Sequence, residues 1–123
     1  MSQFKIEIDD NASAFRPGQQ IAGGVSWENE HKPAIAELRL FWYTRGSGTQ
    51  DVGVVATHPF ENAQQSDQRP FSFTAPEGPY SYSGKAISIV WALELVVTPG
   101  VGIARVEIVI SPTMEPMQTY NSG

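Results

Sequence analysis

Cysteine is absent from this 123-residue chain, and that absence excludes several classes of protein at once. Without a thiol there is no disulfide scaffold, thiolate zinc site, iron–sulfur cluster or cysteine nucleophile. Charge is also scarce: eight basic and 13 acidic side chains give a formal net charge of −5. Nucleic-acid binding needs clustered lysine and arginine, and the chain has no basic run, so we expect no nucleic-acid partner.

Long apolar runs are missing as well. No stretch approaches the roughly 20 apolar residues of a membrane-spanning helix. The segment from Met1 to Glu7 contains no apolar stretch of signal-peptide length. We therefore expect a cytoplasmic protein without a membrane span. The length suits one domain, and area scaling predicts that folding buries about two-thirds of the surface of the extended chain.

Few stretches stay free of both glycine and proline for long, because 11 glycines and nine prolines punctuate the whole sequence. This spacing disfavours several long helices. Between these residues, apolar and polar side chains alternate with the period of two that is typical of strands. The polar segment 61–69 is predicted as a connection. The pattern predicts seven strands: Phe4–Ile8, Ile21–Trp27, Leu38–Tyr43, Val52–Thr57, Arg69–Thr74, Ala86–Val97 and Ile103–Ile110.

Seven strands without a convincing helix predict an all-β protein, either a sandwich or a barrel of antiparallel strands. We favour the sandwich, because several strands alternate apolar with polar, as sheets with one solvated face do. On the sixth strand Val90 and Val96 lie opposite the row that contains Trp91, and Val109 lies opposite Ile108 on the seventh. Strands that are apolar on both faces need a cover, which is a partner chain, a second copy or a loop of the same chain.

Four segments of the chain resemble those of arrestin-like domains, in the same order. Phe15–Val25 is similar to the family's "PG-x-x-(I/V)-x-G-x-V" opening, and Arg69–Pro76 to its "F-x-F-x-x-P" stretch. Gly78–Lys85 is similar to the "P-x-S-(Y/F)-x-G" loop, and Ile87–Glu94 to the long strand that follows it. The order and spacing cover most of residues 4–110. Within the first segment, the glycine pair Gly23-Gly24 predicts a bulge or a close backbone approach.

The resemblance implies one immunoglobulin-like β-sandwich of the arrestin type over residues 1–110, followed by a loose tail at 111–123. Arrestin-like proteins are usually two such sandwiches in tandem and act as adaptors without catalysis. This chain has room for one sandwich, so recognition that needs two lobes is not carried over. The expected function is a non-enzymatic protein–protein interaction module that binds through a sheet edge, an outer sheet face or the end loops.

One loop gathers side chains suited to metal chemistry. Glu28, Glu30 and His31 lie within four residues of one another, and carboxylate and imidazole groups are ligands for zinc and related ions. They support an alternative function, a small metal-assisted hydrolase or carbohydrate-binding sandwich. The spacing matches no recognised metal motif, so we expect an exposed hairpin loop. The oxygens of Asp9-Asp10-Asn11 suggest calcium, but we expect a solvated turn there.

Other motifs also fail to support catalysis. Gly46-Ser47-Gly48 lacks the spacing of a hydrolase nucleophile elbow, and Gly100-Val101-Gly102 lacks the lysine and helix of a phosphate loop. A glycosidase needs two carboxylates facing each other across a cleft. The mid-strand acids are expected on outer sheet faces instead: Glu37, Glu94 and Glu107. We therefore expect no catalytic, cofactor-binding or metal-binding residue and no cofactor.

Two sets of residues concern packing and association. Trp91 and Trp42 are predicted to lie in the core, whereas Trp27, at a strand end beside a charged loop, is less constrained. The first and last predicted strands, Phe4–Ile8 and Ile103–Ile110, carry few of the lysines, prolines or bulges that protect sheet edges. Whichever is at an edge is expected to accept a second copy or a partner protein, which predicts a homodimer or an obligate partner.

Overall fold

The computed structural model describes residues 3–48, 50–100 and 103–118. Strands dominate these residues, and one 3₁₀ turn, Asp9–Asn11, follows the first strand. The strands are β1 (Gln3–Ile8), β2 (Ala14–Phe15), β3 (Gln20–Glu28), β4 (Ile35–Gly46), β5 (Val52–Pro59), β6 (Ser66–Thr74), β7 (Tyr82–Ser83), β8 (Ile87–Thr98), β9 (Ile103–Ile110) and β10 (Met117–Gln118).

The strands form two sheets. The small sheet is antiparallel, in the order β1-β3-β6, and the large sheet runs β10-β7-β8-β4-β5. Strand β8 pairs with β4 along its whole length, while β7 and β9 share its other side. The two-residue strands β2 and β10 pair in parallel with β9 and β7. The architecture is thus the all-β sandwich that the alternating pattern predicts.

The core lies between the two sheets and is one continuous cluster. Alternate residues of β4 and β8 point inward, so the period of two in the sequence becomes one apolar face of the large sheet. The inward residues of β3 and β6 form the opposing face. The buried members are Phe15, Ile21, Val25, Trp27, Ala36, Leu38, Leu40, Phe60, Ala63, Phe71, Phe73, Ala75, Trp91, Leu93, Leu95, Val97, Ile108 and Ile110.

The prediction that 61–69 is only a connection is wrong in its second half. Strand β6 begins at Ser66, and residues 66–69 pair with β3. The apolar alternation stops there because Asp67 and Arg69 occupy the inward positions in this half of β6. Their charges are paired with each other at 3.0 Å, and Arg69 also donates to the carbonyl oxygen of Glu61 at 2.9 Å. Because these polar side chains are paired locally, the hydrophobic pattern does not predict this part of the strand.

Segment 111–118, at the start of the tail expected to be loose, is attached to the sandwich. Ser111 is fully buried, and its amide donates to the carbonyl oxygen of Phe15 at 3.0 Å. The amide of Met117 donates to the carbonyl oxygen of Ser81 at 2.8 Å. Residues 119–123 lie outside the described part of the chain. The division into a domain over 1–110 and a tail over 111–123 stays a prediction.

The glycines of the arrestin-like opening meet different structural requirements. Gly18 has a φ of 84°, and the amide of Gln19 donates to the carbonyl oxygen of Arg16 at 3.0 Å, which closes a tight turn. Gly23 permits a close backbone approach, because a Cβ built there lies 2.0 Å from the carbonyl oxygen of Glu7. The pairing of β3 continues through Gly23 and Gly24 without a register shift, so the alternative of a bulge is wrong at this point.

Candidate functional site

The outer face of the large sheet carries the densest group of interacting polar and aromatic side chains. Alternate residues of β4 point away from the core, and the pairing of β4 with β8 and of β8 with β9 places the outward residues of all three strands side by side. We call this surface the arginine–aromatic face. Its members are Glu37, Arg39, Phe41, Tyr43, Arg45, Glu94, Arg105 and Glu107.

Arginine side chains lie over the two aromatic rings. The guanidinium carbon of Arg105 is 5.1 Å from the ring centre of Phe41 and 5.6 Å from that of Tyr43. The guanidinium of Arg45 lies 5.6 Å from the ring of Tyr43. Attraction between a cation and a ring face stabilises such stacks. Phe41 is therefore 7% exposed although it points away from the core.

Three glutamates pair with the arginines of this face. The Nη2 of Arg105 lies 2.6 Å from the Glu94 carboxylate, and that of Arg45 lies 2.8 Å from Glu107. Arg39 pairs with Glu37 at 3.3 Å. As expected, these mid-strand glutamates lie on the outer face, where they face arginines rather than each other across a cleft. The face therefore carries three positive and three negative charges and is neutral, within a chain whose net charge is −5.

Hydrogen bonds join the arginines to Tyr43 and to the glutamates. Arg45 donates to the hydroxyl oxygen of Tyr43 at 2.7 Å and to Glu107, and these bonds, the one to Tyr43 first, raise the pKa of Arg45 above its ordinary value. The bond to Glu94 raises the pKa of Arg105 in the same way. Tyr43 in turn donates to Glu107 at 3.2 Å. The side chains thus form a bonded layer rather than a set of free charges.

Exposed apolar residues border this layer. Val52 and Val54 of β5 stand beside Tyr43 and Phe41 in the strand register and are 66% and 57% exposed. At the opposite corner, Ile103 is 70% exposed and Ile35 is also exposed. Tyrosine and arginine are enriched in the centres of protein interfaces, and exposed apolar side chains add area that a partner can bury. The arrangement is suited to binding a protein surface.

The predicted outward valines, Val90 and Val96, are half-buried on this side of the sheet. Val90 and Val109 line a depression of about 300 Å³ together with Ser13 and Pro116 of the same chain. A loop and the start of the tail thus flank one end of the outer face. The borders at Val52 and Ile103 have no such neighbour among the described residues.

The burial of the three tryptophans differs in part from the prediction. Trp27 is buried and donates from its indole nitrogen to the carbonyl oxygen of Gln64 at 2.7 Å, so it is a core residue. Trp91 is also buried, as expected, and donates to the carbonyl oxygen of Pro79 at 2.7 Å. Trp42, expected in the core, is only half-buried because it stands near the open end of the large sheet, opposite Gly53 of the last strand.

The loop suited to metal ligands is organised by a residue that the sequence reasoning did not single out. Asn29 is buried and donates to the carbonyl oxygens of His31 at 3.0 Å and Pro99 at 2.6 Å. Glu28, Glu30 and His31 are exposed around it. Over the described ranges, no three histidine, aspartate or glutamate side chains gather as metal ligands would. The expectation of no metal residue stays a prediction.

The remaining candidate motifs serve local structure. Asp9–Asn11 forms the 3₁₀ turn, with Asp10 at a φ of 59°. At the tip after β4, the amide of Ser47 donates to the carbonyl oxygen of Ala86 at 3.1 Å. The other histidine, His58, packs 5.0 Å from the ring centre of Phe60. Of the motif at 100–102, residues 101 and 102 lie outside the described part.

The structure also locates the sheet edges. Strand β1 is an edge of the small sheet, as the sequence allows. In β9 only Val109 and Ile110 pair with β2, and residues 103–108 have β8 as their single partner strand among the described residues. The opposite edges are β6 in the small sheet and β5 in the large one.

Within the part of the chain that the structure describes, no helix has the length and apolar character needed to cross a membrane.

Comparisons with known proteins support the fold and no more. No family model matches the sequence, and no curated protein does either. The crystal structure of Spo0M, a sporulation control protein from Bacillus subtilis, superposes with a TM-score of 0.60 at 16% identity over 89% of this chain. This chain spans only 49% of that one. The likeness shows an arrestin-like β-sandwich, which agrees with the motifs in the sequence.

A β-glucosidase from Listeria innocua, solved with gluconolactone, superposes with a TM-score of 0.44 at 11% identity. It matches 89% of this chain and 16% of the enzyme. A similarity this weak carries no argument about catalysis.

Proposed function

We propose that this chain is a non-catalytic, adaptor-type module that binds a partner protein through the arginine–aromatic face. The observation that carries the proposal is the layer in which Arg105 and Arg45 cover the rings of Phe41 and Tyr43, bordered by exposed Val52 and Val54. Its aromatic residues and arginines are of the types enriched in interface centres. The similarity to a sporulation control protein is consistent with a regulatory role, and we place the protein in the cytoplasm.

The charges of the face favour recognition over simple electrostatic attraction. Each arginine already has a glutamate partner, so the face does not act as a sink for a phosphate or another anion. A partner gains by burying the rings and the bordering valines, and by adding hydrogen bonds to ion pairs that are already in place. We therefore expect the partner to be a folded protein, and a second copy of this chain is one candidate.

Affinity capture from the source cells tests the proposal. The tagged chain is compared with a face variant, Tyr43→Ala with Arg105→Ala, and with a matched control, Gln68→Ala with Ser72→Ala, on the outer face of the small sheet. We expect one protein to be captured in stoichiometric amount by the wild type and the control and to be lost with the face variant. Equal capture by all three would contradict the proposed surface.

Two further measurements separate the alternatives. Light scattering over a concentration series shows whether the partner is a second copy, since a species of twice 13.5 kDa that the face variant loses identifies self-association. Metal analysis of the purified protein tests the hydrolase alternative. Two results together would favour the hydrolase over the adaptor. The first is stoichiometric zinc or calcium that is lost in His31→Ala, and the second is stabilisation of the protein when that metal is added.

A further inference from the structure

Strand β5 is an open edge of the large sheet. It pairs with β4, and no other strand among the described residues pairs with it. Residues 52–60 contain no lysine, arginine, aspartate or glutamate, so lysine and inward charge, two common protections of an edge, are missing. The register shift between Leu40 and Phe41 distorts its middle, but Val52 and Val54 remain exposed beside the edge.

The indole N–H of Trp42 lies at this edge. The ring of Trp42 lies over Gly53, where a Cβ would come within 2.4 Å of the indole nitrogen. Glycine at this position therefore lets the ring lie across the last strand. The indole nitrogens of Trp27 and Trp91 donate to carbonyl oxygens at 2.7 Å each. That of Trp42 has no acceptor among the described residues, although the ring packs partly against the core.

Carboxylates flank the uncharged strand at both ends. Asp51 precedes β5 and Glu61 follows it by two residues, and both are exposed. Neither carboxylate is in an ion pair with another described residue, whereas each arginine of the arginine–aromatic face is. The chain as a whole carries −5. The edge is therefore an apolar strand between two carboxylates that are not in ion pairs with described residues. Such an edge attracts a segment that is apolar in its middle and positively charged at its ends.

We propose that β5 accepts an extended segment of another protein as an added strand, apolar at alternate positions and flanked by lysine or arginine. A backbone carbonyl of that segment accepts the hydrogen bond from Trp42, its apolar side chains cover Val52 and Val54, and its basic ends lie beside Asp51 and Glu61. A second copy fits less well, because it would bring the same carboxylates and the same distorted register to the edge. The inference goes beyond the proposed function, because the added strand binds the backbone of β5 and the indole of Trp42, which are not members of the arginine–aromatic face. Val52 and Val54 border both surfaces.

The test uses the peptide Ac-KRVTVTVRK-NH₂ as the probe and ¹⁵N-labelled protein. The three tryptophans give three indole N–H signals, and the variant Trp42→Phe identifies one of them. On titration with the peptide, we expect the Trp42 signal to move and those of Trp27 and Trp91 to stay. Trp42→Phe should weaken binding about three- to tenfold, the effect of losing one hydrogen bond. Trp27→Phe is the matched control and should leave the affinity unchanged.

Two modified peptides test whether the segment adds as a strand. Alternate amides of a strand point to opposite edges, so methylating the nitrogens of the three valines or of the two threonines should abolish binding for one peptide and spare the other. The peptide Ac-EEVTVTVEE-NH₂ and the variant Asp51→Asn with Glu61→Gln test the charges, and each should reduce affinity several-fold at low salt. Unchanged binding of both methylated peptides overturns strand addition. Absence of binding by the basic peptide at 1 mM overturns the site itself.

Discussion

Trp91 shows how one enclosed residue supports the sandwich. It is fully buried in the inner row of β8, and its indole N–H is satisfied by the carbonyl oxygen of Pro79. Trp91→Ala should lower the free energy of unfolding by about 3–5 kcal/mol, the range for emptying a buried aromatic site. Urea denaturation measures the change. Val54→Ala, at an exposed position, should stay within about 0.5 kcal/mol of wild type. Similar losses for both variants would contradict this assignment of the core.

Gly23 and Gly24 are neighbours with opposite tolerance for a side chain. A Cβ added at Gly23 would lie 2.0 Å from the carbonyl oxygen of Glu7, whereas one added at Gly24 would lie 3.6 Å from its nearest neighbour. Gly23→Ala must push β1 away from β3 and should cost about 1–3 kcal/mol or more. Gly24→Ala should be neutral or slightly stabilising, because it restricts the unfolded chain. Thermal melting of the two variants measures this difference, and equal melting temperatures would disprove the close approach.

At the scale of elements, an ion pair between Asp67 and Arg69 lies near the start of β6. The hydrogen bonds from Arg69, aided by those from the backbone amides of Gln64 and Gln68, hold the pKa of Asp67 below its usual value of 3.8. A group whose pKa is lower in the folded than in the unfolded chain stabilises the fold above the unfolded pKa. That stability is lost as the pH falls through the folded pKa.

Asp67→Asn should therefore be less stable than wild type at pH 7, and the difference should shrink as the pH falls below about 4. Chemical denaturation at a series of pH values measures it. Arg69→Met removes the partner and should flatten the same part of the curve. The double variant should add little to either single one, because the residues act as a pair. A constant difference between wild type and Asp67→Asn down to pH 2 would contradict the assigned role.

At the scale of the whole molecule, the two sheets share one core. Trp27 of the small sheet and Trp91 of the large sheet belong to the same buried cluster. Unfolding monitored by tryptophan fluorescence and by far-ultraviolet circular dichroism should therefore give coincident transitions, as expected for one cooperative unit. Separate midpoints for the two signals would mean that the sheets unfold independently, and the sandwich would then not be a single cooperative unit.

The sequence by itself determined the sheet character and most of the core. Because side chains alternate along a strand, a period of two in β4 and β8 suffices to predict which residues point inward. Turn chemistry is equally local, and the φ of 84° at Gly18 is what a tight turn after Pro17 requires. The arrestin-like motifs agreed with the sandwich that the structure shows.

Tertiary structure decided which polar residues meet and which edge stays open. The strand that begins at Ser66 forms because residues 66–69 pair with β3, a contact distant in sequence that the polar side chains of this segment do not reveal. Arg105 reaches Phe41 only because β8 lies between their strands and aligns them on one face. Trp42 is half-buried because β5 is the last strand. Strand order in a sheet is set by contacts distant in sequence, so the candidate binding surfaces became visible only once the chain was folded.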